Sequence, residues 1–171
     1  MENFKKISPQ AASYDPVREI GTEWMLISAK KADGSVNTMT ASWGGIGVLW
    51  GKTVAFCFIR PQRYTLEFVK EAEDFSLSFF GGDKKDALTL CGRKSGRDCD
   101  KIKEAGLTLT ELSGVPAFGE ATKVLKVKKL YADIIRSEGF LDPALEKQHY
   151  PGKDYHVVYV AEILEVFERE D

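Results

Sequence analysis

The sequence is poor in the residues on which most catalytic motifs are built. It has two histidines, His149 and His156, and three cysteines, Cys57, Cys91 and Cys99, in 171 residues. The histidines lie seven positions apart with no cysteine at ligand spacing, so no metal site is expected. Three cysteines cannot all pair, and Cys57 lies inside an apolar block; inert thiols in a reducing compartment follow, with the cytoplasm as the default location. No cysteine has a local activating context, and the Gly-x-Ser-x-Gly elbow of serine hydrolases is absent. A dominant sign of charge is missing too. Lysine plus arginine is 24 against 26 acidic residues, a formal charge of −2. Nothing global draws the chain to nucleic acid or to an anionic membrane. No apolar run approaches the ~18 residues of a membrane helix. The longest block, Val54 to Ile59, is strand-sized, and the apolar run of a secretory signal does not follow Met1 to Lys6.

What is present is ordinary for one globular domain spanning residues 1–171: 43% hydrophobic and 29% charged residues, without repeats, low-complexity tracts or long linkers. Glu23 to Lys31 and Thr38 to Trp43 read as strands of a hairpin around Asp33-Gly34. Gly44 to Gly51 reads as a glycine-rich loop. Val54 to Ile59, apolar on both faces, is a central strand stopped by Pro61. Thr65 to Ala72 suits a short helix that Thr65 can cap, and Phe75 to Phe79 alternates at the period of a strand. Asp83 can cap a helix to about Leu90, and Lys101 to Ala105 forms another, ended by Gly106. Val124 to Ile135 and Val157 to Phe167 are long β-branched strands, while Leu141 to Tyr150 is a short helix or irregular loop. About six strands without regular helix alternation point to a mainly antiparallel barrel with helices at its ends.

Two phosphate-binding patterns fail. The segment before Lys52-Thr53 lacks the first glycine of a phosphate loop, since that position holds Ile46. The dinucleotide fingerprint that begins at Gly45-Ile46-Gly47 would need glycine at Trp50. Three other segments stand out. Asn37-Thr38-Met39-Thr40-Ala41-Ser42-Trp43 sets amide and hydroxyl groups at a strand end beside an aromatic. Arg60-Pro61-Gln62-Arg63-Tyr64-Thr65 sets two guanidinium groups before a helix start, a combination suited to phosphate. Gly92 to Lys101 is a basic, glycine-containing loop able to wrap an anion. Taken singly, each also reads plainly as a polar hairpin edge, a solvated basic turn or a surface loop.

These three blocks in this order, with Ser95-Gly96-Arg97-Asp98-Cys99-Asp100-Lys101 in the third and Asp154-Tyr155-His156 before the last strand, make the sequence resemble the flavin reductase-like family with the FMN-binding split-barrel fold. The flavoredoxin-type members look most similar, and the resemblance runs from about Trp24 to Phe167. It implies a six-stranded antiparallel Greek-key barrel with a few short helices. It implies a homodimer that binds FMN non-covalently in a groove near the interface. Asn37, Thr38, Met39, Thr40, Ala41, Ser42 and Trp43 would line the isoalloxazine and ribityl chain. Arg63, Tyr64 and Thr65 would approach the phosphate end, with Ser95, Gly96, Arg97 and Lys101 closing over it, and Arg60 is a further cofactor-binding candidate. The ten phenylalanines, six tyrosines and three tryptophans also exceed what one small core readily hides, which favours a second copy.

The implied activity passes electrons from a transient NAD(P)H through FMN to free flavin, ferric iron, oxygen or a partner protein. An FMN-containing electron carrier without reductase activity, or a flavin- or haem-binding module, is the alternative. His156 is the one candidate catalytic side chain. Its ordinary pKa near ~6.5 would suit it to steer nicotinamide or to handle a proton, and a strand-start histidine bonded to backbone is the plain alternative. His149 is expected to matter little.

Overall fold

The computed structural model describes residues 3–170, and among them the chain forms ten strands and four short α-helices. After β1 (Phe4–Ile7), one π-helical turn (Val17–Thr22) leads into β2 (Met25–Lys30) and β3 (Val36–Ala41). The hairpin of β4 (Gly44–Leu49) and β5 (Lys52–Ile59) follows, then α1 (Thr65–Glu71), β6 (Asp74–Phe79), α2 (Lys85–Arg93) and α3 (Lys101–Glu104). A small hairpin, β7 (Leu109–Leu112) and β8 (Val115–Phe118), precedes β9 (Lys123–Ile134), α4 (Pro143–His149) and β10 (Val157–Arg169).

The main sheet is antiparallel throughout, in the order β3-β2-β6-β9-β10-β5-β4. The long β10 pairs with β9 on one edge and with β5 and then β1 on the other. The two end strands of this path, β3 and β4, are joined by Ser42 and Trp43 alone. So short a link forces the sheet to curl until its ends nearly meet, and the barrel stays split between them. Alternate residues fill its interior: Met25, Ile27 and Ala29 from β2, Phe75, Leu77 and Phe79 from β6, Leu125 and Val127 from β9, Cys57 and Tyr159 from β5 and β10. Each large side chain buried this way contributes roughly 1.5–3 kcal/mol. Leu26 and Val124 face the other way, into a second cluster with Leu88, Cys91 and Phe118, which seats α2 and the small hairpin against the barrel.

The strand count is ten rather than six, because β1, β4, β7 and β8 are short or carry little apolar pattern. Gly44 to Gly51 is not a loop. It is β4 and its turn, with Leu49 opposite Lys52 and the two turn residues Trp50 and Gly51 at φ 52° and 70°, the left-handed pair of a two-residue hairpin turn. A Cβ on Gly45 or Gly47 would meet the Phe56 ring at 3.7 Å, an ordinary contact, whereas one on Gly44, at φ 154°, would fall 2.8 Å from the Phe56 carbonyl oxygen, so the close approach of β4 to β5 requires glycine at position 44. Asp83 caps nothing, since α2 starts after Lys84 with no side-chain cap. Thr65 does not cap α1 either; it is the first helical residue, and the cap position falls to Tyr64. Leu141 to Tyr150 resolves into α4, where the Ala144 N–H donates to Asp142 at 2.9 Å and Pro143 takes a first-turn place. Among the described residues no helix is long and apolar enough to cross a membrane.

Candidate functional site

A cleft of about 310 Å³ opens at the split of the barrel. One wall is Met39, Thr40, Ala41, Ser42 and Trp43; the other is Phe58, Arg60, Arg63 and His156. Side chains on one face of a strand recur at every second residue. Five consecutive residues therefore mean that the cleft meets β3 along its edge. Among the described strands β3 pairs with β2 alone, so its outer edge offers backbone N–H and C=O groups without a ladder partner. Such an edge suits a planar heterocycle carrying alternating donors and acceptors.

The side chains on this strand are mostly committed elsewhere. Thr38, expected to line the ligand, is fully buried, 2.7 Å from the Ser28 hydroxyl and donating to the Ile27 carbonyl at 3.2 Å. The Thr40 hydroxyl donates to the Leu88 carbonyl on α2. Only the backbone at these two positions is left for a ligand. Asn37 is buried and donates through Nδ2 to the Thr65 hydroxyl at 2.9 Å. A Cβ on Gly96 would fall 2.1 Å from the Asn37 Oδ1. All three motif blocks thus meet at Asn37, and glycine at position 96 is a steric requirement of that meeting.

Arg63 belongs both to the cleft and to a smaller cavity of about 130 Å³ beyond it, which Tyr64, Thr65, Ser95 and Lys101 also line. Arg63 donates to the carbonyls of Gly92 at 2.6 Å and Cys91 at 3.3 Å; Lys101 donates to those of Cys91 at 3.1 Å and Lys94 at 3.2 Å. Both cations thereby hold the carbonyl end of α2, where positive charge is favoured. Lys101 is only 3% exposed. Among the described residues neither cation has a carboxylate within ion-pair distance. Burial and the neighbouring Arg63 charge pull the Lys101 ammonium down to about 8, and burial lowers Arg63 as well. Two cations with only carbonyl partners among the described residues leave positive charge uncompensated there, an arrangement able to accept an anion.

The other expected cofactor contacts divide. Arg97 stacks over Tyr64 at 4.4 Å and pairs with Glu67; it lines neither of these cavities but a separate, wider pocket with Asn37, Gly96 and Lys101. Arg60 does not point to the anion end. It pairs with Asp154, donates to the His149 carbonyl at 2.8 Å and lies 5.1 Å from the Tyr150 ring. Its work is to clamp the segment after α4 against the cleft.

His156 is nearly buried among aromatics, its ring 5.2 Å from Trp43, 6.4 Å from Phe58 and 5.6 Å from Tyr150. Burial first, and then the Arg60 charge, push its pKa down to about 4 against the opposing pull of Asp154. The ring is therefore neutral at pH 7, which corrects the expectation of a group titrating near ~6.5. Its Nδ1 is engaged by the Tyr150 hydroxyl at 2.8 Å, not by backbone. His149 stands edge-on to Trp43 at 5.4 Å, close to the mouth. Phe58 and Tyr150 were not legible as site residues. Phe58 shares a strand with core residues, and Tyr150 reaches His156 only because the turn after α4 doubles back.

The chain matches known proteins in family and fold. A family model described as flavin reductase like domain matches residues 17–171. No curated protein matches the sequence. The FMN-binding domain of a flavin reductases-like enzyme from Shewanella baltica OS155 superposes with a TM-score of 0.65 at 16% identity, over 97% of this chain and 78% of that one. Flavoredoxin of Desulfovibrio vulgaris (Miyazaki F) gives 0.64 at 22% identity, over 85% and 68%. The styrene monooxygenase flavin reductase from Pseudomonas putida S12 gives 0.62 at 14% identity, over 85% and 78%. At such identities the shared property is the fold, a mainly antiparallel split barrel.

Proposed function

As the chain belongs to the flavin reductase-like family, we propose that it binds FMN non-covalently and passes electrons from NAD(P)H through it to an acceptor. The observation that carries this is the Arg63–Lys101 pair, without a carboxylate partner among the described residues, at the end of a cleft walled by a free strand edge. The donor set fits the group: backbone amides of β3 for the pyrimidine edge, and two cations for a phosphate dianion. Held there, FMN would supply the redox chemistry. The chain itself orients the ring by the Met39 to Trp43 edge and fixes the phosphate with Arg63 and Lys101. The exposed Trp43 marks the open mouth through which a nicotinamide would approach. Free flavin, ferric iron, oxygen or a partner protein remain the acceptor classes. The free thiols of Cys57, Cys91 and Cys99 suit a cytoplasmic site of action.

The likeness to flavoredoxin supports an electron carrier equally, and one experiment separates the two. The purified protein should absorb near ~370 and ~450 nm and bleach when NADH or NADPH is added without oxygen. A reductase then oxidises the nicotinamide continuously in air, whereas a carrier without reductase activity does not. A protein that takes up no flavin on reconstitution overturns both readings.

A second copy of the chain is part of the proposal. Gly45, Phe56, Val160 and Tyr131 form one cross-strand row on the outer face of the barrel, by the registers of β4, β5, β10 and β9. Tyr131 and, beside this row, the adjoining Trp50, whose rings lie 6.4 Å apart, are exposed. The cleft residue Phe58 lies two positions along β5 on the same face. A partner covering this face would also wall the cleft.

A further inference from the structure

His156 lines the cleft yet is only 6% exposed, and its polar atoms can be accounted for singly. Nδ1 lies 2.8 Å from the Tyr150 hydroxyl. Two arrangements of hydrogen satisfy that distance. If Nδ1–H donates to the phenol oxygen, the hydrogen of the phenol needs another acceptor. Tyr150 is buried, and among the described residues its hydroxyl makes no other hydrogen bond. That arrangement strands a donor away from water, at the full cost of its desolvation. If the phenol donates to Nδ1, both buried groups of the pair are satisfied and the single proton of the neutral ring sits on Nε2, which is not among the fully buried unpartnered atoms and lies on the cleft side.

The surroundings hold this second arrangement in place. Burial raises the pKa of the Tyr150 phenol, so it stays a donor. Its ring is tilted against Tyr155 at 5.1 Å and Phe140 at 5.8 Å, with the Arg60 guanidinium 5.1 Å above it. The charged groups facing the imidazole are Arg60 from the end of β5 and Asp154 from the turn before β10, and they are paired with each other. Among the described residues no protein group accepts from Nε2, which leaves it for the cleft.

We propose that Tyr150 is a positioning residue that fixes His156 as the neutral Nε2–H tautomer, so that one non-titrating N–H donor faces an acceptor oxygen or nitrogen of the ligand in the cleft. This rests on the reading of the cleft as the FMN site, but the tautomer itself is a property of the ligand-free chain. His156 then serves recognition rather than proton transfer, and its contribution to binding is flat between pH 5.5 and 8, because neither the ring nor the phenol changes charge there.

The test uses the full chain without ligand, with long-range ¹⁵N–¹H NMR of the histidine rings. The wild type should show a protonated Nε2 and a bare Nδ1 for His156, unchanged from pH 5.5 to 8. Tyr150→Phe should shift His156 toward the other tautomer and weaken FMN binding about five- to tenfold, the worth of one neutral hydrogen bond. His156→Gln supplies an amide donor that needs no tautomer, so adding Tyr150→Phe to it should change FMN affinity less than twofold. A bare Nε2 in the wild type, or titration of the ring above pH 6, overturns the proposal. So does a Tyr150→Phe variant that keeps both the wild-type tautomer and the wild-type affinity. Failure of the wild type to bind FMN, with the tautomer as stated, removes the ligand reading and with it the role in recognition.

Discussion

Replacing Lys101 by methionine separates a structural lysine from one held ready for an anion. Methionine keeps the length of the side chain and removes the charge. In the ligand-free protein the ammonium is depressed from 10.5 to about 8, chiefly by burial and then by Arg63. At about 1.4 kcal/mol per pH unit, holding that charge in the fold costs about 3 kcal/mol at neutral pH. A folded-state value below the unfolded one means that the cost is fully present below about pH 8. It is relieved as the pH rises toward 10.5, where the unfolded chain still holds the proton. Against this, the variant loses two hydrogen bonds, to Cys91 and Lys94, of about 1 kcal/mol each. Lys101→Met should therefore be as stable as the wild type at pH 7, or about 1 kcal/mol more stable, moving Tm by less than about 4 °C. FMN affinity should nevertheless fall about ten- to hundredfold, and riboflavin affinity should not change. Fluorescence titration with both ligands, alongside thermal denaturation, reads the two effects. In the wild type, FMN binding should be steady between about pH 7, where the phosphate is already a dianion, and about pH 8, and weaken above that by at most about tenfold per unit, as Lys101 must take up a proton to meet the phosphate. The variant should lack this slope. Equal weakening of FMN and riboflavin, or a large loss of stability without ligand, would refute the reasoning.

Gly96→Ala should cost about 2–4 kcal/mol in urea unfolding and weaken FMN binding, because its Cβ displaces the buried Asn37 amide from Thr65. Lys123→Met should destabilise by about 3–5 kcal/mol at pH 7, since it strands the buried Glu19 carboxylate; Glu19→Gln in the same chain should restore part of the loss in denaturation curves. Light scattering should give twice the mass of the chain, and Tyr131→Glu with Trp50→Glu should halve it while circular dichroism stays unchanged; a wild-type monomer at all concentrations removes the shared-groove proposal.

How much of this was legible in the sequence depends on whether a residue's partner is near in the chain. The β2–β3 hairpin, β9 and β10 show in local alternation and β-branched composition, and the turn at Asp33-Gly34 is where its residues place it. β4 was hidden, because glycine has low strand propensity and the need for Gly44 arises only from the Phe56 carbonyl on the next strand. The order of the three polar motifs marked the right segments, yet it could not say which groups of each face a ligand. Thr38 turns inward, Arg60 is taken by Asp154, and Lys101 is buried against the carbonyl end of α2. These outcomes depend on the curl of the sheet and on where α2 ends. The depressed His156 likewise comes from Trp43, Phe58 and Tyr150, which the chain brings together from three separate places.

The central claim is that the cleft at the barrel's split, with Arg63 and Lys101 at its end, is an FMN site that reads the phosphate. Titration of the flavin-free wild type with FMN and with riboflavin at pH 7 tests it most directly. One FMN should bind per chain, and at least about tenfold more tightly than riboflavin, the worth of one or more charged hydrogen bonds. Equal affinity for the two flavins, or no saturable binding of either, would contradict it.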